Sequence, residues 1–259
     1  MDGRARSIGR TNMDETVRSW IAWNTMRRGT ALPLSMVHAH GTAVPLQLLR
    51  YHMKNDSKTI TLRIRRLRRS ELPIDTLELA RYLIGKTLVH DVPQVRLSGR
   101  IVETEAYPVG DAAGHSFHGE TPSIRSLFLP YGHAYVYFTY GSCFMMNVSS
   151  ETRGVGAGVL IRAVEPLEGI LFMERKRRTK RLLDLTRGPG RLTQAMGIDK
   201  KLDGIHLCSG GKIWLGDCIR IPGPIGMSVR IGINREVDKL YRFHERGNPF
   251  VSGLKRMNE

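Results

Sequence analysis

The sequence predicts an α+β domain with a largely antiparallel sheet over residues 71–259, preceded by a basic extension at residues 1–70. Three observations carry that expectation. Helix-like and strand-like segments are mixed without the strict strand–helix–strand alternation of a parallel sheet. The stretch AYVYFTYGSCFMMNVS, residues 134–149, reads as a β-hairpin with its turn at Tyr140-Gly141-Ser142. A content of 41% hydrophobic and 25% charged residues is that of an ordinary globular chain, and no internal repeat is visible.

Residues 1–70 show no sustained period of 2 or 3.6, and they hold 14 Lys and Arg against 4 Asp and Glu. A disordered, solvated arm is the favoured reading. An arm that adds phosphate contacts, or a translation start further along at a residue such as Met53, are alternatives that the residues leave open.

Order is expected from Ser70. Ser70 and Asp75 are both N-cap types, and Leu77, Leu79, Ala80, Leu83 and Ile84 follow at helical spacing until Gly85. Residues 86–90 form a strand, and residues 99–107 (GRIVETEAY) form a second. In the second, a period of 2 puts Ile101, Glu103, Glu105 and Tyr107 on one face, and Val102, Thr104 and Ala106 on the other. Residues 108–130 read as a polar loop, long enough to be functional or mobile. Beyond the hairpin, residues 158–164 (GVLIRAV) form a strand with Leu160 and Arg162 on a shared face. Glu165-Pro166 is expected to open a helix, with Pro166 first and Glu168 in the first turn, ending in the basic run from Arg175 to Arg181. A further helix runs from Gly188-Pro189-Gly190 to about Met196, and late strands cover residues 213–215 and 227–234.

The formal net charge of +16 points to a polyanionic partner. Most of that charge lies in the extension, because residues 71–259 hold 26 basic against 20 acidic side chains. Three widely spaced cysteines, Cys143, Cys208 and Cys218, form no Cys-x-x-Cys pair. A structural zinc site is therefore not expected, and unpaired thiols suit a reducing, intracellular setting. The charge-free stretch 29–49 is broken by Pro33, Pro45, Gly41, His38, His40 and Gln47, so it is not read as a membrane helix. No metal or cofactor is implied.

Chemistry is sought where unlike signals converge. A lone Glu in an apolar strand is most often a salt-bridge partner. Glu105, however, has Glu103 and Tyr107 on its face and a polar loop directly after it. Arg162 is its natural partner, and an Arg beside a Glu keeps the carboxylate ionised, as a general base requires. Tyr107, Tyr131, Tyr135, Tyr137 and Tyr140 fall close together; a core cluster is the ordinary explanation, and a stacking surface for a base is the functional one. Tyr140 at the hairpin turn could instead push between base pairs. His115 reads as a solvated loop histidine or as a ring lining a pocket, and His118 has nothing converging on it. Arg187 and Arg191, around the Gly188-Pro189-Gly190 helix start, suit a phosphate-binding rim that Arg125 can join.

The runs GRIVETEAY, AAGHS, TP before Arg125, YVYFTYG, MNVSS, GVLIRAVEPLEG, LTRGPGRLTQAMGI and RFHERGNPFVS, in this order, resemble the alkyladenine (3-methyladenine) DNA glycosylase family over residues 71–259. The resemblance implies a curved antiparallel sheet, a protruding β-hairpin and excision of damaged purines from duplex DNA by base flipping. It implies Glu105 as general base, with Arg162 and the backbone carbonyl of Ile231 holding the attacking water. Tyr107 would stack on one face of the flipped base, with His115 and Tyr137 on the other. Asn147 would exclude normal guanine, and Leu160 is placed with these base-contacting residues. Tyr140 would be the wedge, and Arg125, Arg187 and Arg191 the DNA contacts. The expected partner is double-stranded DNA carrying a damaged purine, bound by a monomer without a membrane. Two other classes stay open: a nucleic-acid-binding module in which Glu105 is only structural, and a nucleoside- or sugar-acting enzyme using Glu103 and Glu105 as a pair.

Overall fold

The computed structural model describes residues 62–139, 141–217, 219–254 and 257–258. The expectations for residues 1–61, and for Tyr140 and Cys218, fall outside the described residues. Asp75 begins α1 (Thr76–Leu83) by accepting the Glu78 amide at 2.9 Å, so the cap read from sequence is in place. The helix lays Leu79, Ala80 and Leu83 onto the sheet, each fully buried.

Among the described residues the sheet has eight strands. They are β1 (Thr87–Val92), β2 (Val95–Tyr107), β3 (Ala134–Thr139), β4 (Cys143–Ser149), β5 (Gly158–Glu168), β6 (Ile213–Gly216), β7 (Ile225–Ser228) and β8 (Arg242–Glu245). The main path is β3-β4-β5-β2-β1-β6, with β8 joined to β2 and β7 to β8. Every pairing is antiparallel, as the α+β expectation requires. The 13-residue β2 organises the rest. One side of it lies along β5; on the other, residues 95–100 pair with β1 and residues 103–105 pair with β8. The sheet thus forks around β2, and the last residues of that strand have neighbours on both sides.

The strict alternation expected in β2 breaks down at the fork. Ile101 pairs with Val164, Glu103 with Ala163 and Thr104 with Ile161, so the register slips twice. As a result Ile101 belongs to the main core together with Ala106, and not to the face of Glu105. Val102 instead packs with Ala163, Phe250 and Val251 in a second cluster. An extra residue in a strand reverses parity, which is why a plain count of two failed here.

The expected helix at Glu165-Pro166 is also overturned. Residues 165–168 continue β5: Pro166 sits opposite Gly99 at a register shift, where a missing N–H is tolerated. The Glu168 carboxylate accepts the Ser98 hydroxyl at 2.6 Å. The helix starts one residue past the strand, at α2 (Ile170–Arg177), after Gly169 turns the chain with φ +74°. Arg178 ends α2 in the left-handed region, so the basic run beyond it is not helical as expected. Two helices follow, α3 (Leu183–Thr186) and α4 (Pro189–Met196), the latter with its proline in the first turn.

Three smaller differences remain. Residues 108–130 are not a plain polar loop: they contain 3-10 turns at His115–His118 and Arg125–Phe128, and Ser126 and Leu127 are buried. The late strand expected over 227–234 is only Ile225–Ser228, and β8 carried too little alternation to be seen. Among the described residues no helix is long and apolar enough to cross a membrane.

A Cβ placed on Gly169 would lie 2.3 Å from Leu97 Cδ2, on a backbone that side chains rarely adopt. Gly169→Ala should therefore destabilise the chain by on the order of 1–3 kcal/mol in urea unfolding. An unchanged midpoint would show that the turn between β5 and α2 tolerates a side chain after all.

Candidate active site

Glu105 is the last charged residue of β2, and its side chain is fully buried. Three donors converge on it from three parts of the chain. Ile231 donates its amide N–H to Oε1 at 2.7 Å, the Tyr107 hydroxyl donates to Oε2 at 3.0 Å, and Arg162 Nη1 faces Oε2 at 3.1 Å. Arg162 reaches it because Leu160 on β5 pairs with Glu105 on β2. Burial nevertheless outweighs these donors and pushes the Glu105 carboxyl above the ordinary carboxylate range; Arg162 and the Ile231 amide pull it down, and Glu103 adds to the rise. Arg162 thus favours the ionised form, as the sequence reading expects, while burial works against it. A spacing of residues shows a partner, but not how much water the partner displaces.

Tyr107, Arg162 and Ile231, the residues that contact Glu105, line a cleft of about 480 Å³, within the ordinary size range for an organic ligand, and Glu105 itself lies behind them. The cleft lining includes Tyr107, His115, Tyr135, Tyr137, Asn147 and Leu160. On β3, Tyr135 and Tyr137 stack at 5.2 Å with their planes 25° apart. His115 meets Tyr137 edge-on at 4.4 Å and places Nδ1 2.8 Å from the Tyr135 hydroxyl. Enclosure among these rings lowers the His115 pKa, so the imidazole is neutral at neutral pH. Asn147 on β4 pairs with Leu160 on β5 and is buried beneath this wall.

Tyr107 is held from another direction. The Arg230 guanidinium lies 4.6 Å from its ring centre, with its side chain fully buried. Arg230 is fixed by two bonds to the Asp111 carboxylate, one of them at 3.0 Å, and by the Ala106 carbonyl at 2.9 Å. That pair ties the segment leading to His115 to the segment that carries Ile231.

Glu103 lies behind Glu105 and is equally buried. Its Oε1 accepts Arg162 Nε at 2.9 Å, Arg242 Nε at 2.7 Å and the Ser252 hydroxyl at 2.9 Å, while Oε2 accepts the Ser252 amide at 2.7 Å. Burial works against its charge, but Arg162 and Arg242 overcome it and hold this carboxyl below the ordinary range.

The structure thus brings Glu105, Arg162, Ile231, Tyr107, His115, Tyr137, Asn147 and Leu160 to one place. Ile231 contacts Glu105 through its amide, while the role expected of its carbonyl is toward the attacking water. Arg125, Arg187 and Arg191 do not line the cleft. Arg125 is exposed; Arg187 donates to the Val251 carbonyl at 2.8 Å, and Arg191 pairs with Asp184 at 3.2 Å. His118, set aside from sequence, does line the cleft, as do Pro189 and residues 232–235. Only the 3-10 turn at His115–His118 brings His118 there, and nothing in the sequence signalled it. Among the described residues no cluster of His, Cys, Asp and Glu could hold a metal ion.

Comparison with known proteins gives one consistent result. The family model described as methylpurine-DNA glycosylase matches residues 70–249. A protein of Mesorhizobium japonicum is 60% identical over 191 residues, which is 74% of this chain and 92% of the relative. One from Paraburkholderia phytofirmans is 53% identical over 191 residues, covering 74% of this chain and 90% of its own length. One from Methanoculleus marisnigri is 40% identical over 188 residues, covering 69% of this chain and 94% of its own length. All three bear the name "Putative 3-methyladenine DNA glycosylase".

The two buried carboxylates should act on stability with opposite signs. Glu105, shifted upward, favours folding most below the unfolded carboxylate value of about 4.3 and loses that contribution as pH rises. Glu103, shifted downward, contributes above that value and loses its contribution as pH falls. In urea unfolding at pH 8, Glu105→Gln should be at least as stable as the wild type, whereas Glu103→Gln should lose about 1–3 kcal/mol. A strongly destabilised Glu105→Gln would contradict this assignment.

Proposed function

The chain belongs to the methylpurine-DNA glycosylase family, and on that premise we propose that it excises damaged purines from duplex DNA with Glu105 as the general base. A DNA glycosylase is a hydrolase of N-glycosidic bonds, so DNA is the partner that the basic composition called for. The finer reading rests on one observation: a buried carboxylate is tied, through the Tyr107 hydroxyl, to a ring that lines a cleft with aromatic walls.

The sugar carbon of a stacked nucleotide cannot be reached by an attacking water, so the base has to leave the helix, at a cost of a few kcal/mol. Lesions that pair or stack poorly leave it more readily. In the proposed complex Tyr107 covers one face of the flipped base, with His115 and Tyr137 on the other, and the His115 backbone reads its edge. Alkylated purines carry positive charge, which electron-rich rings favour by roughly 0.5–2 kcal/mol. The substrates proposed are alkylated and deaminated purines of the 3-methyladenine, 7-methylguanine, hypoxanthine and ethenoadenine class. Asn147, buried under the wall next to Leu160, would clash with the exocyclic amine of normal guanine.

For the chemical step Glu105 takes a proton from water as the oxygen attacks the sugar carbon and the base departs. Burial raises the basicity of this carboxylate, and the neutral acid formed by proton transfer suits the site better than the anion it replaces. Arg162 and the Ile231 amide keep it oriented and ionised beforehand. The cleft lining, among the described residues, includes no lysine to form a Schiff base, which supports release of the base without strand cleavage. Tyr140, between β3 and β4, is the proposed wedge, and Arg125, Arg187 and Arg191 are the proposed backbone contacts. The chain is taken to act as a monomer.

Glu105→Gln should slow single-turnover excision of hypoxanthine from a duplex by at least about 100-fold while leaving duplex binding near the wild-type Kd. Excision at the wild-type rate would leave a module whose tyrosines bind bases without Glu105 chemistry. In parallel, Asn147→Ala should release measurable guanine from undamaged duplex, where the wild type releases none.

A further inference from the structure

Glu103 has no part in the reading above, yet it is the most heavily engaged acid of the site. We propose that Glu103 is a positioning residue for the reaction: it grips Arg162 by Nε so that Nη1 faces Glu105, and it draws off part of the positive charge that Arg162 would otherwise lend to Glu105. The inference rests on Glu105 being the base.

The geometry carries both halves. A guanidinium presents its donors in a fixed plane, so anchoring Nε determines where Nη1 points. Arg162 Nε is anchored on Glu103 Oε1 at 2.9 Å and Nη1 lies 3.1 Å from Glu105 Oε2. Arg162 thus spans two carboxylates on alternate residues of one strand. Glu103 is itself immobilised from β8 and from the C-terminal segment, through Arg242 and Ser252. Arg242 does not depend on Glu105 for partners: it also donates to the Ser228 hydroxyl at 2.7 Å, the Ser252 carbonyl at 2.9 Å and the Asn258 side chain at 2.7 Å.

Charged and polar groups from several elements surround Glu105. Arg162 comes from β5, Arg242 from the paired position on β8, Tyr107 and Glu103 from β2, and the Ile231 amide and Arg230 from the segment after β7. One arginine shared by two acids stabilises either of them less than it would stabilise one. Glu103 also repels the anion at Glu105 directly. Both effects make Glu105 a stronger base than a lone Glu–Arg pair would. A neutral acceptor at position 103 could orient Arg162, but it could not share its charge.

The test is the pH dependence of single-turnover excision by the full chain, on a hypoxanthine duplex, between pH 4.5 and 9. For Glu103→Gln the acidic limb should move to lower pH and the plateau should fall about tenfold or more, because Glu105 becomes a weaker base. Glu103→Asp keeps the charge and should restore the position of the limb, though not the full plateau. Ser252→Ala removes one donor from Glu103 at 2.9 Å and a longer acceptor of Arg162 Nη2 at 3.5 Å, so Glu103 leans harder on Arg162 and the limb should move the opposite way, to higher pH; it decides the matter if Glu103→Gln does not fold. A limb unmoved in all the variants that fold overturns the proposal, including the case in which the plateau drops in step with stability. Activity surviving in Glu105→Gln would instead remove the premise, so the two failures are told apart.

Discussion

Two carboxylates on one strand are enclosed inside a sheet, and the rest of the site is arranged around that constraint. Glu103 and Glu105 are both fully buried. Ions taken out of water cost several kcal/mol each unless partners and hydrogen bonds replace the solvent. The replacement here is supplied by neighbouring strands: Arg162 from β5 and Arg242 from β8, with the Ser252 and Ile231 amides completing the set. Two acids and two bases leave the interior neutral, but the balance is uneven. Glu103 collects four donors and Glu105 collects three, one of them a weakly acidic phenol. The better-served acid is Glu103, and the poorer-served one is held by three residues, Tyr107, Arg162 and Ile231, that line the cleft.

This imbalance comes from topology. Were β2 flanked by β1 along its whole length, nothing on that side could carry Arg242 to Glu103. The fork, in which β8 replaces β1 beside residues 103–105, brings Arg242 into place, and the slip at Ile101–Thr104 turns Glu103 toward it. Neither feature shows in the sequence. The run IVETEAY alternates well enough to suggest Glu105 and Tyr107 on one face, and they do share it. It equally suggests Ile101 on that face, and there the structure disagrees, because pairing partners set a bulge and local pattern does not.

What was legible, then, was whatever depended on a single element. The cap at Asp75, the hairpin of β3 and β4, the start of α4 at Pro189 and the alignment of Leu160 with Arg162 all follow from local chemistry or a period of two. What was not legible depended on contacts between distant segments. Pro166 has the look of a helix start, but opposite Gly99 it fits a strand irregularity. β8 is four residues long, two of them charged, and its place is decided by β2 and β7. His118 and residues 232–235 reach the cleft only through loop conformation. The direction of the Glu105 shift belongs to the same group, since it depends on burial that Ile231 and Tyr107 complete.

Arg230 and Ile231 show how the two walls of the cleft are kept in register. Adjacent in the chain, they act on adjacent parts of the site: Arg230 lies against the Tyr107 ring, and Ile231 donates to Glu105. Arg230 is locked by Asp111, in the segment that leads to His115. A shift of the Tyr107 ring would therefore pull on Glu105, and a shift of the segment with His115 would pull on both. Catalysis by a fixed carboxylate depends on donors and acceptors already being in position, because reorganising them during the reaction would raise the barrier. The buried Asp111–Arg230 pair contributes little net stability as a substitute for apolar packing. Its physical justification is geometric, in that it holds the ring, the loop and the carboxylate at one spacing.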